Sequence, residues 1–229
     1  MNKLILCLLY GFVLSGSIAA QVKRKAHSSK PIKMVSLAPE PAFNNVYFVT
    51  DYKDVNLAGI YYAALKEMTE NYSFSFAFAD NTFRPNQLVK RGEFCYYLDQ
   101  LYEKIQNYKT AAGIDTTLIN SYDPNRSYIT EVSKISDLNS SSVYYGPVKS
   151  MIEDFGVAAP FKKDKRLNAL GTISEKEVYD ILHVTLDYSN MEFMPSLKPV
   201  TRGRFVTFLH GALVNMVDRI ASLGTKKKE

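Results

Sequence analysis

Apolar residues recur at helical spacing in two stretches of the chain. Phe94, Leu98, Leu101, Ile105 and Tyr108 fall on one stripe. Phe205, Leu209, Ala212, Met216, Ile220 and Leu223 fall on another. A residue three or four positions on returns to the same helix face, so each stripe predicts an amphipathic helix. Between them, Ser174-Glu175-Lys176-Glu177 has the S-x-x-E form of a capping box and opens a third helix through Ile181, Leu182 and Leu186. Phe74, Phe76 and Phe78 alternate with small residues. That spacing suits a short strand or a loop plug contributing to the core. Three amphipathic helices with short lead-in helices predict an all-α helical bundle.

An internal repeat organises these elements. Residues 54–68 read D-V-N-L-A-G-I-Y-Y-A-A-L-K-E-M, and 137–151 read D-L-N-S-S-S-V-Y-Y-G-P-V-K-S-M. They align without a gap. Asp54/Asp137, Asn56/Asn139, Tyr61/Tyr144, Tyr62/Tyr145, Lys66/Lys149 and Met68/Met151 are identical pairs. Each copy reads as a turn opening a short helix, with Asp or Asn accepting backbone N–H bonds at its start. A second element, F-R-P-N-Q-L-V-K-R-G-E-F at 83–94, returns as F-M-P-S-L-K-P-V-T-R-G-R-F at 193–205. In both, a proline turn leads to Arg-Gly-x-Phe and a longer helix.

Taken in this order, the two elements resemble the S-layer homology (SLH) family. That family's repeat has Asp-Val, a short helix, a turn like D-G-T-F-x-P, then I-T-R-A-E opening a longer helix. Here Asp54-Val55, Asp80-Asn81-Thr82-Phe83-Arg84-Pro85 and Val89-Lys90-Arg91-Gly92-Glu93-Phe94 match a whole repeat. The second repeat matches through Lys149-Ser150-Met151-Ile152-Glu153-Asp154-Phe155-Gly156-Val157, and Ser174-Glu175-Lys176-Glu177 then replaces the arginine motif. A third stretch resembles only the latter half of a repeat. It keeps Val200-Thr201-Arg202-Gly203 but has Arg204 where the family has glutamate. Ile60 and Val143 stand where tryptophan is common in the family. The resemblance implies SLH-like repeats, a short plus a longer helix in each, with the longer helices in a central three-helix bundle.

Domain boundaries follow. Residues 1–20 read as a signal peptide: Lys3, an apolar run from Leu4 to Leu14, and small residues at Ser17-Ile18-Ala19-Ala20. The run is too short for a stable membrane span, and no other stretch could cross a bilayer. The Lys-, Ser- and Pro-rich residues 21–45 read as a flexible linker. The SLH-like domain then occupies 46–224: repeat one at 46–110, repeat two at 134–188 and a partial third repeat at 189–224. A basic tail, 225–229, closes the chain.

The resemblance also implies a role. SLH repeats hold acidic cell-wall polysaccharide in grooves between repeats, and the arginine of the T-R-A-E motif is a principal contact. That role falls here on Arg91 and Arg202. Residue chemistry gives partial independent support. Each arginine would lie in the first turn of its helix, where backbone N–H groups and a guanidinium fork can hold a carboxylate. Gly92 and Gly203 follow directly and would permit close approach; Thr201 is a good N-cap, whereas Lys90 is not. The competing reading is that each arginine bridges to a neighbouring acid such as Glu93, or to the next repeat. Asp80, Tyr62 and Tyr145 complete the candidate glycan-binding set with Arg91, Gly92, Glu93, Thr201, Arg202 and Gly203. The two tyrosines could line grooves or serve as half-buried packing.

Charge changes the picture little. The formal net charge is +5, but residues 41–224 are near −2, and the basic excess lies toward the two ends. A nucleic-acid partner is therefore not expected, since such proteins carry their basic patch on the folded face. With three histidines and two cysteines, neither a metal site nor a disulfide framework is expected, and no cofactor. No G-x-S-x-G, H-E-x-x-H, P-loop or G-x-G-x-x-G occurs. His183 and His210 lie in helical patterns without a nucleophile partner, and Cys95 reads as a packed residue. The expectation is a non-catalytic, exported, envelope-associated protein in the periplasm or at the cell surface. Its partner would be cell-wall polysaccharide or a peptidoglycan-linked glycan. The alternative is a protein–protein adaptor on a degenerate SLH-like scaffold, with another envelope protein as partner.

Overall fold

The computed structural model describes residues 42–114, 129–161, 164–189 and 194–226. Five α-helices dominate, and the all-α expectation holds for the described residues. The signal peptide, His27 and the C-terminal lysines 227–228 lie outside them.

The chain enters through β1 (Phe43–Asn44), antiparallel to β2 (Ala77–Phe78), with Phe43 opposite Phe78. β1 falls within the stretch read as linker. One apolar side chain anchors it: the Phe43 ring stacks on Tyr96 at 4.5 Å and meets Tyr97 edge-on at 5.7 Å. The Phe74-Phe76-Phe78 alternation does end in a strand, and all three rings are buried.

Two lead-in helices follow the repeat: α1 (Tyr62–Glu70) and α3 (Tyr145–Glu153). Each is preceded by the same Asx turn. Asn56 Oδ1 accepts from Ala58 N at 2.9 Å, and Asn139 Oδ1 from Ser141 N at 3.0 Å. The repeat extends further upstream than the sequence match. Short 3-10 turns at Val49–Asp51 and Val132–Lys134 have their first amides held by Glu70 (3.2 Å) and Glu153 (3.1 Å).

The three longer helices are α2 (Arg91–Ala111), α4 (Glu175–Leu186) and α5 (Arg202–Lys226). Their predicted stripes are the buried faces; only Tyr108, at the edge of the first, and Leu223, at the end of the second, are partly exposed. Ser174 caps α4 as expected, its Oγ accepting from Glu177 N at 3.2 Å. α1 packs against α5, α3 against α2, and α5 lies against both α2 and α4. The connection 187–201 between α4 and α5 is too short to carry a third lead-in helix and its loop.

Candidate functional site

The segments leading into α2, α4 and α5 converge and pair in a closed cycle. Val89 N donates to Val200 O (3.0 Å), Val200 N to Ile173 O (2.9 Å), and Ile173 N to Val89 O (3.3 Å). All three side chains are fully buried. β-branched residues suit these extended, enclosed positions. The next turn of backbone repeats the cycle. Arg91 N and Gly92 N donate to Gly171 O and Ala169 O at 2.8 and 3.0 Å. Arg202 N and Gly203 N donate to Gln87 O and Pro85 O at 2.8 and 2.9 Å. Glu175 N and Lys176 N donate to Lys198 O and Ser196 O at 3.0 and 2.9 Å. The first amides of a helix have no intrahelical acceptor. Here, at all three helices, the first two are satisfied by carbonyls of a neighbouring lead-in segment.

Side chains form a second ring around this one. Arg91 is only 3% exposed. Its Nε donates to Leu167 O at 2.9 Å, one terminal nitrogen donates to Pro160 O at 2.5 Å, and the other pairs with Glu177 of α4. Arg202 is 1% exposed. Its Nε donates to Phe83 O at 2.6 Å, one terminal nitrogen donates to Phe76 O, and the other pairs with Glu93 of α2. The Arg202 guanidinium also lies 4.3 Å from the Phe78 ring centroid, a cation–π distance. Each arginine therefore binds two carbonyls of the loop in a different repeat and one carboxylate of a neighbouring long helix. The third pair closes the cycle: Arg204 Nε lies 3.7 Å from Glu175 Oε1. Glu175 Oε2 also accepts from Ser196 N (3.1 Å) and Ser196 Oγ (2.9 Å).

The two glycines serve packing. A Cβ on Gly92 would stand 2.5 Å from the Tyr144 ring, and one on Gly203 would stand 2.9 Å from the Tyr61 ring. Tyr61 and Tyr144 are repeat equivalents, so each lead-in helix sets the same ring on the start of a long helix. Below them, Asp54 accepts from Phe83 N (2.6 Å) and Arg84 N (2.7 Å). Asp137 accepts from Leu167 N (2.7 Å) and Asn168 N (2.9 Å). Arg84 and Asn168 have left-handed backbones, with φ of 56° and 51°. The two aspartates thus fix the turns whose carbonyls the arginines grip. Their expected part at the start of the lead-in helices is taken by Asn56 and Asn139 instead.

The remaining predicted residues are dispersed. Thr201 Oγ1 accepts from Arg204 N at 3.4 Å, a long capping bond. Tyr62 and Tyr145 are half-buried against the core. Asp80 is exposed and bound within its own turn. Hydrogen bonds from Thr82 and Arg84 hold its carboxyl well below the usual range, at about 2. Cys95 is buried, and burial pushes its thiol up to about 12. His210 meets Glu67 at 2.8 Å across the α1–α5 contact. His183 Nδ1 is 2.9 Å from Tyr188 O, and its ring stacks on Tyr179. Ile60 is 87% exposed and Leu57 73%, while the equivalent Val143 is partly exposed.

Several residues of the two rings carried no functional signal in the sequence. Glu177 read as a capping residue, and its carboxylate turns to Arg91. Glu175 and Arg204 read as losses from the family motif, and they meet each other.

Comparison with protein-family models, with curated proteins and with solved structures returns no match. Among the described residues, no group of three or more His, Cys, Asp or Glu side chains is arranged to hold a metal ion. No described helix is long and apolar enough to cross a membrane.

Proposed function

We propose that this chain is a non-catalytic, exported envelope module on an SLH-like scaffold whose exposed faces engage a protein partner. One observation carries the reading. The two guanidinium groups on which acidic-glycan recognition would depend are each bonded to two backbone carbonyls and a carboxylate within the fold. A sugar carboxylate at either helix start would have to displace those partners and find the first two amides already engaged. The cyclic arrangement of three long-helix starts supports the SLH-like reading of the scaffold. Exposed Leu57 and Ile60 offer apolar surface suited to protein contact, since removing apolar side chains from water is favourable.

Glycan binding stays as a second reading because Tyr62 and Tyr145 occupy equivalent, half-buried positions that leave part of each ring for a sugar face. One experiment separates the two. A photo-crosslinking residue replaces Ile60 in the full chain, and sedimentation is run with protease-stripped cell-wall sacculi from the host. The adaptor reading predicts a discrete protein adduct and no retention on stripped sacculi. Retention on stripped sacculi, competed by soluble acidic wall polysaccharide, overturns it in favour of glycan binding.

A further inference from the structure

The pseudo-equivalence of the two lead-in helices extends to one polar contact on each. Aligned on Arg91 and Arg202, Asp99 of α2 corresponds to His210 of α5. Aligned on Asp54 and Asp137, Ser150 of α3 corresponds to Glu67 of α1. The α1–α5 junction therefore joins an imidazole to a carboxylate, whereas the α2–α3 junction sets a carboxylate against a hydroxyl.

Asp99 is only 8% exposed, and its Oδ1 has no hydrogen-bond partner. The Ser150 hydroxyl of α3 beside it offsets only part of the cost of that burial. Glu103 on the same helix and Asp154 at the end of α3, both acidic residues, are the charged groups that act on it most. Tyr96 and Cys95 of α2 are the other titratable groups nearby, and Lys149 of α3 is paired with Glu153. No cation pairs with Asp99 among the described residues. The Tyr102–Phe155 ring stack, with centroids at 5.4 Å, spans the same α2–α3 junction. A buried carboxylate facing two others is costly when ionised and inexpensive when protonated.

We propose that Asp99 makes the α2–α3 junction an acid-tightened latch, closed most firmly when its carboxyl is protonated and loosened when it ionises. Burial, followed by the charges of Glu103 and Asp154, raises its pKa to about 6. The sign follows from linkage. The folded state binds the proton more tightly than the unfolded state, so the stabilisation is full below the unfolded pKa near 4. It is lost as pH rises through about 6. Between pH 7.5 and pH 5, the closed-to-open ratio of the junction should rise about ten-fold.

The test is amide hydrogen exchange of the full chain at both pH values, corrected for intrinsic exchange rates and read on α3. The expected result is about ten-fold greater protection of residues 145–153 at pH 5. In Asp99→Asn, which keeps the shape without the charge, protection at pH 7.5 should rise to the acid level and the difference should vanish. Equal protection at both pH values, or an undiminished difference in the variant, overturns the proposal. Carbon-detected titration of Asp99 in the unaltered protein gives a reading independent of any variant. A midpoint near 6 supports the latch, and one near 4 removes it.

Discussion

Arg204 and Glu175 meet at 3.7 Å with their charges exchanged relative to the two other pairs of the ring. In Arg91–Glu177 and Arg202–Glu93, the first-turn residue nearer the helix start is the arginine, and the residue two positions later is the acid. In the third pair the acid comes first. The reason lies in the loops. Arg91 and Arg202 each grip two carbonyls of a lead-in loop from another repeat. The 187–201 connection is shorter than the segments that lead into α2 and α4, and among its described residues Ser196 is the one bonded to the Glu175 side chain. A carboxylate at 175 can accept from Ser196 and meet Arg204, whereas a cation there would face the Ser196 amide and the Arg204 guanidinium. The starts of the three long helices are thus doubly acidic in α4, doubly basic in α5 and mixed in α2. Only one cyclic order pairs every charge.

That order can be tested by inversion. Glu175→Arg sets two guanidinium groups against each other and should lower stability by about 1 kcal/mol, a modest figure because both side chains are partly exposed. Adding Arg204→Glu regenerates the arginine-first pattern. The double variant should recover at least half of the loss, with a coupling of about 0.5 kcal/mol or more in a urea-unfolding cycle. Strict additivity would show that the two residues do not interact.

The glycines predict a steric effect that runs against helix propensity. Alanine favours a helix over glycine by about 1 kcal/mol. A Cβ at 92 would nonetheless overlap the Tyr144 ring, so Gly92→Ala should be net destabilising by about 1–3 kcal/mol. Gly203→Ala, with a wider 2.9 Å approach to Tyr61, should cost less. Thermal unfolding of the two variants side by side gives the ranking. A stabilised Gly92→Ala would mean that Tyr144 does not rest on the helix start.

Asp54 and Asp137 each hold two backbone amides across about thirty residues of chain. Asp54→Ala and Asp137→Ala should each cost about 1.5–3 kcal/mol, the range for hydrogen bonds to a charged group. Asparagine, which retains one acceptor, should fall between. Denaturant midpoints check this, and equal values for alanine and aspartate would remove the clamp from the account.

The local elements were legible in the sequence and the long-range ones were not. The stripes through Phe94 and Phe205 mark buried helix faces because periodicity reports burial directly. The capping box at Ser174 is local, and its serine behaves as expected. Its glutamate does not, because Glu177 is drawn to an arginine far away in the chain. Such a partner leaves no spacing to read. Arg91 and Arg202 were recognisable as special positions, but a first-turn arginine beside a glycine is compatible with a ligand or with a neighbouring loop. The deciding facts are the carbonyls of Pro160, Leu167, Phe76 and Phe83, which only the folded chain brings near. β1 escaped for a different reason: a single anchored ring, Phe43, makes no period.

Arg91 and Arg202 clasp repeats together through the carbonyls they bind. The most direct measurement is equilibrium urea unfolding of Arg202→Ala against the unaltered protein. Removing this guanidinium leaves Glu93 buried without its partner and frees two loop carbonyls. The expected result is a loss of about 3–5 kcal/mol, the usual cost of breaking a buried pair from one side, or failure to fold. Unchanged stability, accompanied by lost binding to an acidic wall polysaccharide, would contradict it and return Arg202 to ligand recognition.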